Sequence, residues 1–330
     1  MQRRPTLEDV AERAGVSRAL VSIVMREAPG AGQATRQRVK RAAEEIGYRP
    51  DPRARRLRQH RTRVFGVMFT AGQEFHADLL DGVYVTAEEL GYDVVLSAVT
   101  PHRGESRAVR TLVDDRCEGL ILVAPRMRAG RLGEAVGRVP AVALARKVGG
   151  IDTVRSDDVA GAVLAVDHLV GLGHRRILYL DGRGAAGAAE RRRGYRRAMR
   201  AAQLTELIRP GGSTEREGAA AATALVAQGD LPDAVFAFND RCALGVLDVF
   251  VRAGISVPQN LSVIGYDDVP TAGLAHVALT TVRQDAAGLA AAAVRQLTGR
   301  LDGAPGGSEA VDIIRQPALV LRRSTAPADL

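Results

Sequence analysis

The chain has 330 residues, 46% of them hydrophobic, which is enough for two or three domains with packed cores. Aromatic residues make up 4% and tryptophan is absent, so a single-strand nucleic-acid binder with exposed stacking platforms is disfavoured. Residues 1–63 carry 16 Lys and Arg against 7 Asp and Glu, whereas the remaining residues carry 30 against 31. A compact basic segment attached to a nearly neutral body is typical of a protein that contacts phosphate groups.

Membrane insertion, disulfide bonding and metal binding are also disfavoured. The first ten residues, MQRRPTLEDV, lack the apolar core of a signal peptide, and no apolar stretch has the length that a bilayer needs. Cys117 and Cys242 lie far apart in sequence without nearby ligand clusters, which favours buried free thiols. We therefore expect a cytoplasmic, nucleoid-associated protein without a membrane partner.

The first predicted element is a helix-turn-helix in residues 6–25, TLEDVAERAGVSRALVSIVM. Apolar residues recur at steps of three and four, which gives each of two short helices one buried stripe. Thr6 and Ser17 are the residue types that cap helix starts, and Gly15 supplies the turn. An ordinary helical hairpin would show the same pattern, but the basic charge favours a DNA-binding motif.

A third helix and a basic linker follow. TRQRVKRAAEEI, from Thr35 to Ile46, has a third apolar stripe and is followed by Gly47, a residue that commonly ends helices. The next segment, RPDPRARRLRQHRTR, spans residues 49–63 and places two prolines and seven arginines around Leu57. Taken alone, this segment has the composition of a linker.

From Val64 onward, apolar strands alternate with helices. Such alternation predicts an α/β fold in which parallel sheets are covered by helices on both faces, and the remaining length accommodates two lobes. The predicted strands include VFGVMFT, DVVLSAV, GLILVAP, RRILYL, AVFAFND and LSVIGYD, and the first predicted helices span residues 77–90 and 106–115.

The order of TLEDVAERAGVS, TRQRV, EEIGYRP, LGHRRI, FND, GYDD and LTTV resembles that in the lactose-repressor (LacI/GalR-type) family of bacterial transcription regulators, over essentially the whole chain. The resemblance implies an all-α helix-turn-helix domain at residues 1–48, a hinge helix and linker at 49–63, and a two-lobed, periplasmic-binding-protein-like α/β domain at 64–330. The first lobe would take about 64–160 and 286–315 and the second about 161–285 and 316–330, with crossings near Asp157, Asp285 and Gln316.

The resemblance also implies the residues that contact DNA. Arg18 can read guanine through two hydrogen bonds, whereas Ala19 offers only a methyl contact. Leu57, on a hinge helix that folds when two subunits meet on DNA, would be inserted into the minor groove. Ile23, Arg26 and Gly32 depart from the residues that are usual in the family, and Gly32 stands where Ser or Thr normally caps the third helix. The expected DNA-contacting residues are Thr6, Ser17, Arg18, Ala19, Ser22, Arg26, Thr35, Arg53, Arg55, Leu57 and Arg58.

For the effector, the resemblance points to Arg191 in ERRRGY, Asn239 in FND and Asp267 in GYDD, with Phe75, Asp157 and Arg146 as weaker candidates. Carboxylate, amide and guanidinium groups suit the hydroxyls of a polyol. Asn239 and Asp267 could instead cap helices. The implied function is that of a homodimeric repressor of a carbohydrate-related operon, which binds double-stranded operator DNA under allosteric control by a small effector, such as a sugar. We expect no cofactor, metal or catalytic residue.

One motif favours a different class of protein. Gly182, Gly184 and Gly187 form G-x-G-x-x-G between a predicted strand and a helix, as in dinucleotide-binding proteins, so the alternative is an NAD(P)-dependent oxidoreductase. The motif lies in the middle of the chain, no acidic residue ends the next strand, and the basic hairpin would have no role. The regulator hypothesis is therefore favoured.

Overall fold

The computed structural model describes residues 5–48, 61–303 and 309–328. These residues fall into two compact units, one that precedes Arg63 and one that begins there. Within the described residues, no helix combines the length and apolar character needed to span a membrane.

The amino-terminal unit consists of three helices, α1 (Leu7–Ala14), α2 (Arg18–Met25) and α3 (Gln33–Glu45). Thr6 and Asp9 form a reciprocal capping box at the start of α1, and the Ser17 hydroxyl accepts a hydrogen bond from the Leu20 amide at the start of α2. The helices enclose a small aliphatic core, which is formed by Val10, Ala11, Ala14, Val21, Val24, Val39, Ala42 and Ala43. The predicted helix-turn-helix is confirmed.

Helix α3 begins two residues before the predicted Thr35. Gly32 occupies its N-cap position and makes no side-chain hydrogen bond there. Ile46 is the C-cap, and Gly47 follows with a φ of +67°, in the left-handed region that glycine adopts most easily. The predicted end of the helix is therefore accurate, and Gly32 lies at the cap position that the resemblance implied for it, although the apolar stripe was recognised only from Thr35 onward.

The first lobe is built on a six-stranded parallel sheet. Its strands are β1 (Val64–Thr70), β2 (Asp93–Val99), β3 (Gly119–Val123), β4 (Ala141–Leu144), β5 (Asp152–Ser156) and β11 (Asp312–Arg315), in the order β11-β5-β4-β3-β1-β2. Helices α4 (Glu74–Glu89) and α11 (Ala286–Leu301) cover one face, and α5 (Glu105–Asp114) and α6 (Ala129–Val136) cover the other. Helix α4 starts three residues before the predicted Ala77, because the Glu74 carboxylate favours its first turn.

The second lobe has a four-stranded parallel sheet in the order β7-β6-β8-β9, formed by β6 (Ile177–Asp181), β7 (Leu207–Pro210), β8 (Ala234–Ala237) and β9 (Ser262–Ile264). Its helices are α7 (Asp158–Gly171), α8 (Ala188–Ala201), α9 (Glu215–Gln228) and α10 (Asp240–Arg252). A short antiparallel pair, β10 (Thr281–Arg283) with β12 (Ala318–Val320), packs against α7. The predicted α/β class with parallel sheets is confirmed.

The chain passes between the lobes three times. After β5, the Asp157 carboxylate accepts a hydrogen bond from the Ala160 amide and so caps α7. After β10, Asp285 caps α11 in the same way through the Gly288 amide. The third passage runs through Gln316, between β11 and β12. Each lobe is thus assembled from segments that are distant in sequence.

Candidate functional site

The candidate DNA-reading face lies on α2. Val21 and Val24 are buried in the three-helix core, whereas Arg18 and Ala19 are exposed in the first turn of the helix. Arg26 is also exposed, but its Nε donates to the Ser22 carbonyl at 2.9 Å, which folds the side chain back along α2. Arg18 and Ala19 are therefore the side chains of this set that are directed away from the protein.

The other predicted DNA contacts have distinct placements. Thr6 and Ser17 cap α1 and α2, and Thr35 lies half-buried in the first turn of α3. The sequence interpretation missed Arg36, whose guanidinium donates to the Ala28 and Ala31 carbonyls and so supports the loop before α3. The hinge candidates Arg53, Arg55, Leu57 and Arg58 lie outside the described residues.

A cavity that is partly open to solvent lies between the two lobes. It is bordered by residues that follow the carboxyl ends of strands in both sheets, where α/β folds commonly bind ligands. The lining residues are Thr70, Gln73, Phe75, His76, Ala124, Arg126, Ala145, Ala185, Ala186, Arg191, Ser213, Phe238, Asn239, Asp267 and Gln284. Four of the six effector candidates, Phe75, Arg191, Asn239 and Asp267, are therefore brought together.

Arg191 is the centre of the buried polar network at this cavity. Its Nε donates to Asp158 Oδ1 at 2.8 Å, its Nη1 donates to the Phe238 carbonyl at 2.7 Å, and its Nη2 lies 3.5 Å from Asp267 Oδ1. The guanidinium carbon lies 3.6 Å from the centroid of the Tyr266 ring. Burial alone would lower the pKa of Arg191, but Asp158 and Asp267 raise it, so the guanidinium stays charged.

Asp267 has an unusual backbone conformation for a residue other than glycine, with a φ of +116°. Its Oδ1 accepts a hydrogen bond from Gln284 Nε2 at 2.7 Å. Burial raises the pKa of the carboxyl to about 6, although Arg191 and Gln284 act in the opposite direction. Burial thus disfavours the ionised form of this carboxyl group at the cavity wall, and Arg191 and Gln284 partly offset that effect.

The FND and GYDD motifs divide their polar residues between two roles. Asn239 caps α10 with Oδ1, which accepts from the Cys242 amide at 2.9 Å, and it also lines the cavity. Asp240 is fully buried and accepts from Thr281 Oγ1 at 2.6 Å and from the Val269 amide at 2.9 Å. Asp268 is bonded to two arginines, Arg283 and Arg322, each at 2.6 Å. In both motifs, the final aspartate is structural.

Asp157 and Arg146 do not belong to the cavity lining. Asp157 caps α7, and Arg146 Nη1 donates to the Pro125 carbonyl at 2.7 Å. The residues that sequence reasoning missed include His76 and Arg126. A usable signal existed for Arg126, which comes shortly after the buried strand β3, whereas His76 lies on a helix in a segment with no specific motif.

The glycine-rich loop between β6 and α8 does not fit a dinucleotide. A Cβ at Gly182 would lie 2.5 Å from the Phe238 ring, and a Cβ at Gly187 would lie 2.8 Å from the Asp158 carboxylate. The first glycine therefore makes room for an aromatic side chain. A carboxylate also occupies the region at the start of α8 where a pyrophosphate would need positive potential. In the described ranges, no group of three or more His, Cys, Asp or Glu residues could hold a metal ion.

A helix-turn-helix unit, carried in one chain with a two-lobed α/β unit that encloses a polar cavity, defines the class of ligand-responsive DNA-binding regulators. Residues 6–51 match the family model described as bacterial regulatory proteins, lacI family, and residues 166–325 match that of the periplasmic binding protein-like domain.

Solved structures agree with this class. A LacI transcriptional regulator from a Rhodococcus species is 46% identical, covering 80% of this chain and 99% of that one, with a TM-score of 0.76. The Lac repressor dimer bound to operator and the anti-inducer ONPF is 28% identical over 98% and 100%, with a TM-score of 0.83. A CelR–cellobiose complex is 30% identical over 97% and 100%, with a TM-score of 0.72.

The chain belongs to the LacI family of bacterial regulatory proteins and is a DNA-binding transcriptional regulator. The resemblance stated from the sequence motifs is confirmed. The oxidoreductase alternative is wrong, because the family consists of regulators and the glycines of the G-x-G-x-x-G segment accommodate protein side chains.

Proposed function

We propose that this regulator is a homodimeric repressor whose affinity for a palindromic operator is set by a sugar or sugar derivative bound between the lobes. The observation that carries the proposal is the cavity in which Arg191, Asn239 and Asp267 meet. Carboxylate, amide and guanidinium groups together accept and donate the hydrogen bonds that a polyol offers. The relatives crystallised as an operator-bound dimer and as a cellobiose complex support the assignment.

On the DNA side, we propose that Arg18 reads a guanine in the major groove and that Ala19 contacts a thymine methyl group. Both side chains are exposed on α2. With one long polar side chain in the first turn of that helix, specificity would depend on a second subunit that reads the other half-site. We propose no catalysed reaction, and a role on chromosomal DNA implies a cytoplasmic, nucleoid-associated protein.

Effector and operator would be linked through the conformation of the protein. An effector that binds the DNA-free dimer more tightly than the DNA-bound dimer lowers the affinity of the protein for its operator. Operator DNA lowers the affinity for the effector by the same factor. The lobes provide the element that changes, because the cavity lies between them and ligand closure would alter their relative position.

Fluorescence anisotropy with DNA from upstream of the regulator's own gene tests the DNA proposal. We expect saturable binding that weakens steeply between 50 and 200 mM salt, because phosphate contacts release counterions. Arg18→Ala should cost about 1–3 kcal/mol on the operator and much less on unrelated DNA. Equal losses on both DNAs would contradict a base-reading role for Arg18.

A thermal-shift panel of sugars tests the effector proposal. A ligand that binds the folded state at 100 times its Kd should stabilise that state by about 2.7 kcal/mol, and this ligand should change operator affinity in the anisotropy assay. The variant that tests the location of the site is Asn239→Asp. This variant retains an oxygen acceptor for the Cys242 amide but loses the side-chain amide donor at the cavity. A sugar whose shift is unchanged in this variant does not bind at the proposed site.

A further inference from the structure

We propose that the effector carries an anionic oxygen group, a carboxylate or a phosphate ester, which Arg126 and His76 hold at the first-lobe wall of the cavity. The inference rests on the proposed function, because it names the chemical class of the same effector. It follows from the distribution of charged groups and hydrogen-bond donors around the cavity, and those groups differ strongly between the two lobes.

The cation on the second-lobe wall is already paired. Arg191 lies between the carboxylates of Asp158 and Asp267, at 2.8 and 3.5 Å. Both acids are buried with it, so two carboxylates face one guanidinium and this side offers no free positive charge. A ligand meets hydrogen-bonding groups here, which suits hydroxyls, whereas an anionic group is disfavoured.

The first-lobe wall has the opposite character. The side chains that it contributes include Arg126 but no carboxylate. In the part of the chain that the structure describes, no acidic group pairs with the Arg126 guanidinium. The Glu105 carboxylate accepts hydrogen bonds from the backbone amides of Arg126 and Met127, at 2.7 and 2.8 Å. Arg126 thus leaves a fixed main chain with its charge available to the cavity.

His76 adds a hydrogen-bond donor of fixed identity to the same wall. Its Nδ1 accepts a hydrogen bond from the Thr70 amide at 3.2 Å, so the ring proton of the neutral imidazole is on Nε2. Burial lowers the pKa of His76 to about 4, which keeps the ring neutral at physiological pH. The Nε2–H group has no acceptor among the described residues, although the side chain lines the cavity.

A cation without a partner and a neutral N–H donor together select a ligand group that only accepts hydrogen bonds and carries negative charge. A carboxylate and a phosphate ester share this chemistry. An anionic group placed at the second lobe would face the carboxylates of Asp158 and Asp267, which repel it, whereas at the first lobe it faces Arg126. The ligand therefore places its hydroxyls at the second lobe and its anionic group at the first.

Isothermal titration calorimetry on the full-length protein with matched ligand sets tests the inference. The sets are glucose, glucose 6-phosphate and glucuronate; galactose, galactose 6-phosphate and galacturonate; and ribose with ribose 5-phosphate. Inorganic phosphate alone is a further probe. We expect that in at least one set an anionic member binds about 10- to 100-fold more tightly than its neutral parent, as a charge-assisted hydrogen bond predicts. A comparison of the sugar acids with the phosphorylated sugars shows whether the anionic group is a carboxylate or a phosphate ester.

Variants assign the effect to the cavity. Arg126→Gln should reduce the preference for the anionic member over its neutral parent to less than threefold. Arg128→Gln is the matched control. The substitution removes the same charge two residues away, at an exposed position that does not line the cavity. The control should retain the full preference.

Three outcomes would overturn the inference. If a neutral parent binds as tightly as its anionic relatives, the anionic class is wrong and the proposed function stands. If the Arg126 and Arg128 variants lose the preference equally, the effect is one of general surface potential and the Arg126 site is wrong. If no sugar, phosphorylated sugar or sugar acid binds, the proposed sugar effector itself is wrong, and the inference falls with it.

Discussion

Arg191 shows how a buried charge can serve both the fold and the site. Its guanidinium has two carboxylate neighbours, one backbone carbonyl acceptor and aromatic rings from Phe238 and Tyr266. Such a network is costly to dismantle in part, because removal of one member leaves the others charged and unpaired in a medium of low polarity. The cavity wall is therefore preorganised before any ligand arrives.

We expect Arg191→Ala to lower the free energy of unfolding by about 3–5 kcal/mol at pH 7, since Asp158 and Asp267 would lose their buried counter-charge. Urea denaturation followed by circular dichroism measures this. Arg193→Ala, an exposed position on the same helix that pairs only with Glu190 at 3.6 Å, should change the value by less than about 0.5 kcal/mol. Similar losses in the two variants would show that the buried network contributes no special stability.

His76 should make the ligand-free protein sensitive to acid. Its pKa is lowered from 6.5 to about 4, so the unfolded state binds the proton more tightly, and stability is lost as the pH falls through this window. Between pH 7 and pH 4.5, this one group should cost about 2 to 3 kcal/mol. Asp267, with its raised pKa, acts in the opposite direction and is common to all variants compared.

Unfolding free energies of the wild type and His76→Gln at pH 7 and 4.5 isolate this contribution, because the variant should lose less stability over the interval. His276→Gln is the control, since His276 is exposed. If acid destabilises the wild type and His76→Gln to the same extent, the neutral imidazole that we place at the cavity is wrong.

The cavity-lining residues that could be predicted from the sequence are those that belong to a sequence motif. Arg191, Asn239 and Asp267 stand in ERRRGY, FND and GYDD, and all three line it. The cap alternative for Asn239 also describes the structure, because one amide oxygen caps α10 while the residue still borders the cavity. His76 and Arg126 escaped prediction because their roles come from packing between distant segments, which leaves no local pattern.

At the scale of elements, helices α9 and α10 pack closely against each other. Gly218 and Gly245 face the partner helix, and a Cβ at Gly245 would lie 1.9 Å from the Glu215 carbonyl oxygen. The two backbones therefore approach as closely as they do only because neither glycine carries a side chain. The sequence predicted the helices from their apolar periodicity, but the periodicity does not encode which faces touch.

Gly245→Ala should lower the free energy of unfolding by about 3 kcal/mol or more, because the added methyl group forces the helices apart. Gly133→Ala is the matched control in α6, where an added Cβ meets no heavy atom within 4 Å. The control should be neutral or stabilising by up to about 1 kcal/mol, as helix propensity predicts. Thermal denaturation compares the two, and a neutral Gly245→Ala would contradict the close helix contact.

At the scale of the whole effector unit, two hydrogen bonds join the lobes near the cavity. Arg241 Nη1, on α10, donates to the Gly72 carbonyl at 2.5 Å, and Thr271 Oγ1 donates to Glu74 Oε1 at 2.6 Å. Glu215 pairs with the same Arg241 guanidinium and orients it. These bonds exist only while the lobes stand close together, so they favour the arrangement that encloses a ligand.

We expect Arg241→Gln to raise the Kd for the effector about tenfold, because a charge-assisted bond that favours the closed arrangement is lost. Calorimetry measures this Kd, and Arg252→Gln, exposed on the same helix and paired with Asp248, should leave it unchanged. An equal Kd in wild type and Arg241→Gln would mean that ligand binding does not require the lobes to approach.

The second lobe is completed by a segment that is translated late, residues 324–328. Ser324 Oγ donates to the Val263 carbonyl at 2.6 Å and accepts from the Thr280 amide at 2.8 Å, while the Ala328 amide donates to the Leu172 carbonyl at 2.8 Å. During translation, the three helices of the amino-terminal unit leave the ribosome long before this segment does. A truncated messenger RNA would therefore encode a protein with a complete helix-turn-helix unit and an incomplete second lobe. Such a protein would be unable to respond to a ligand.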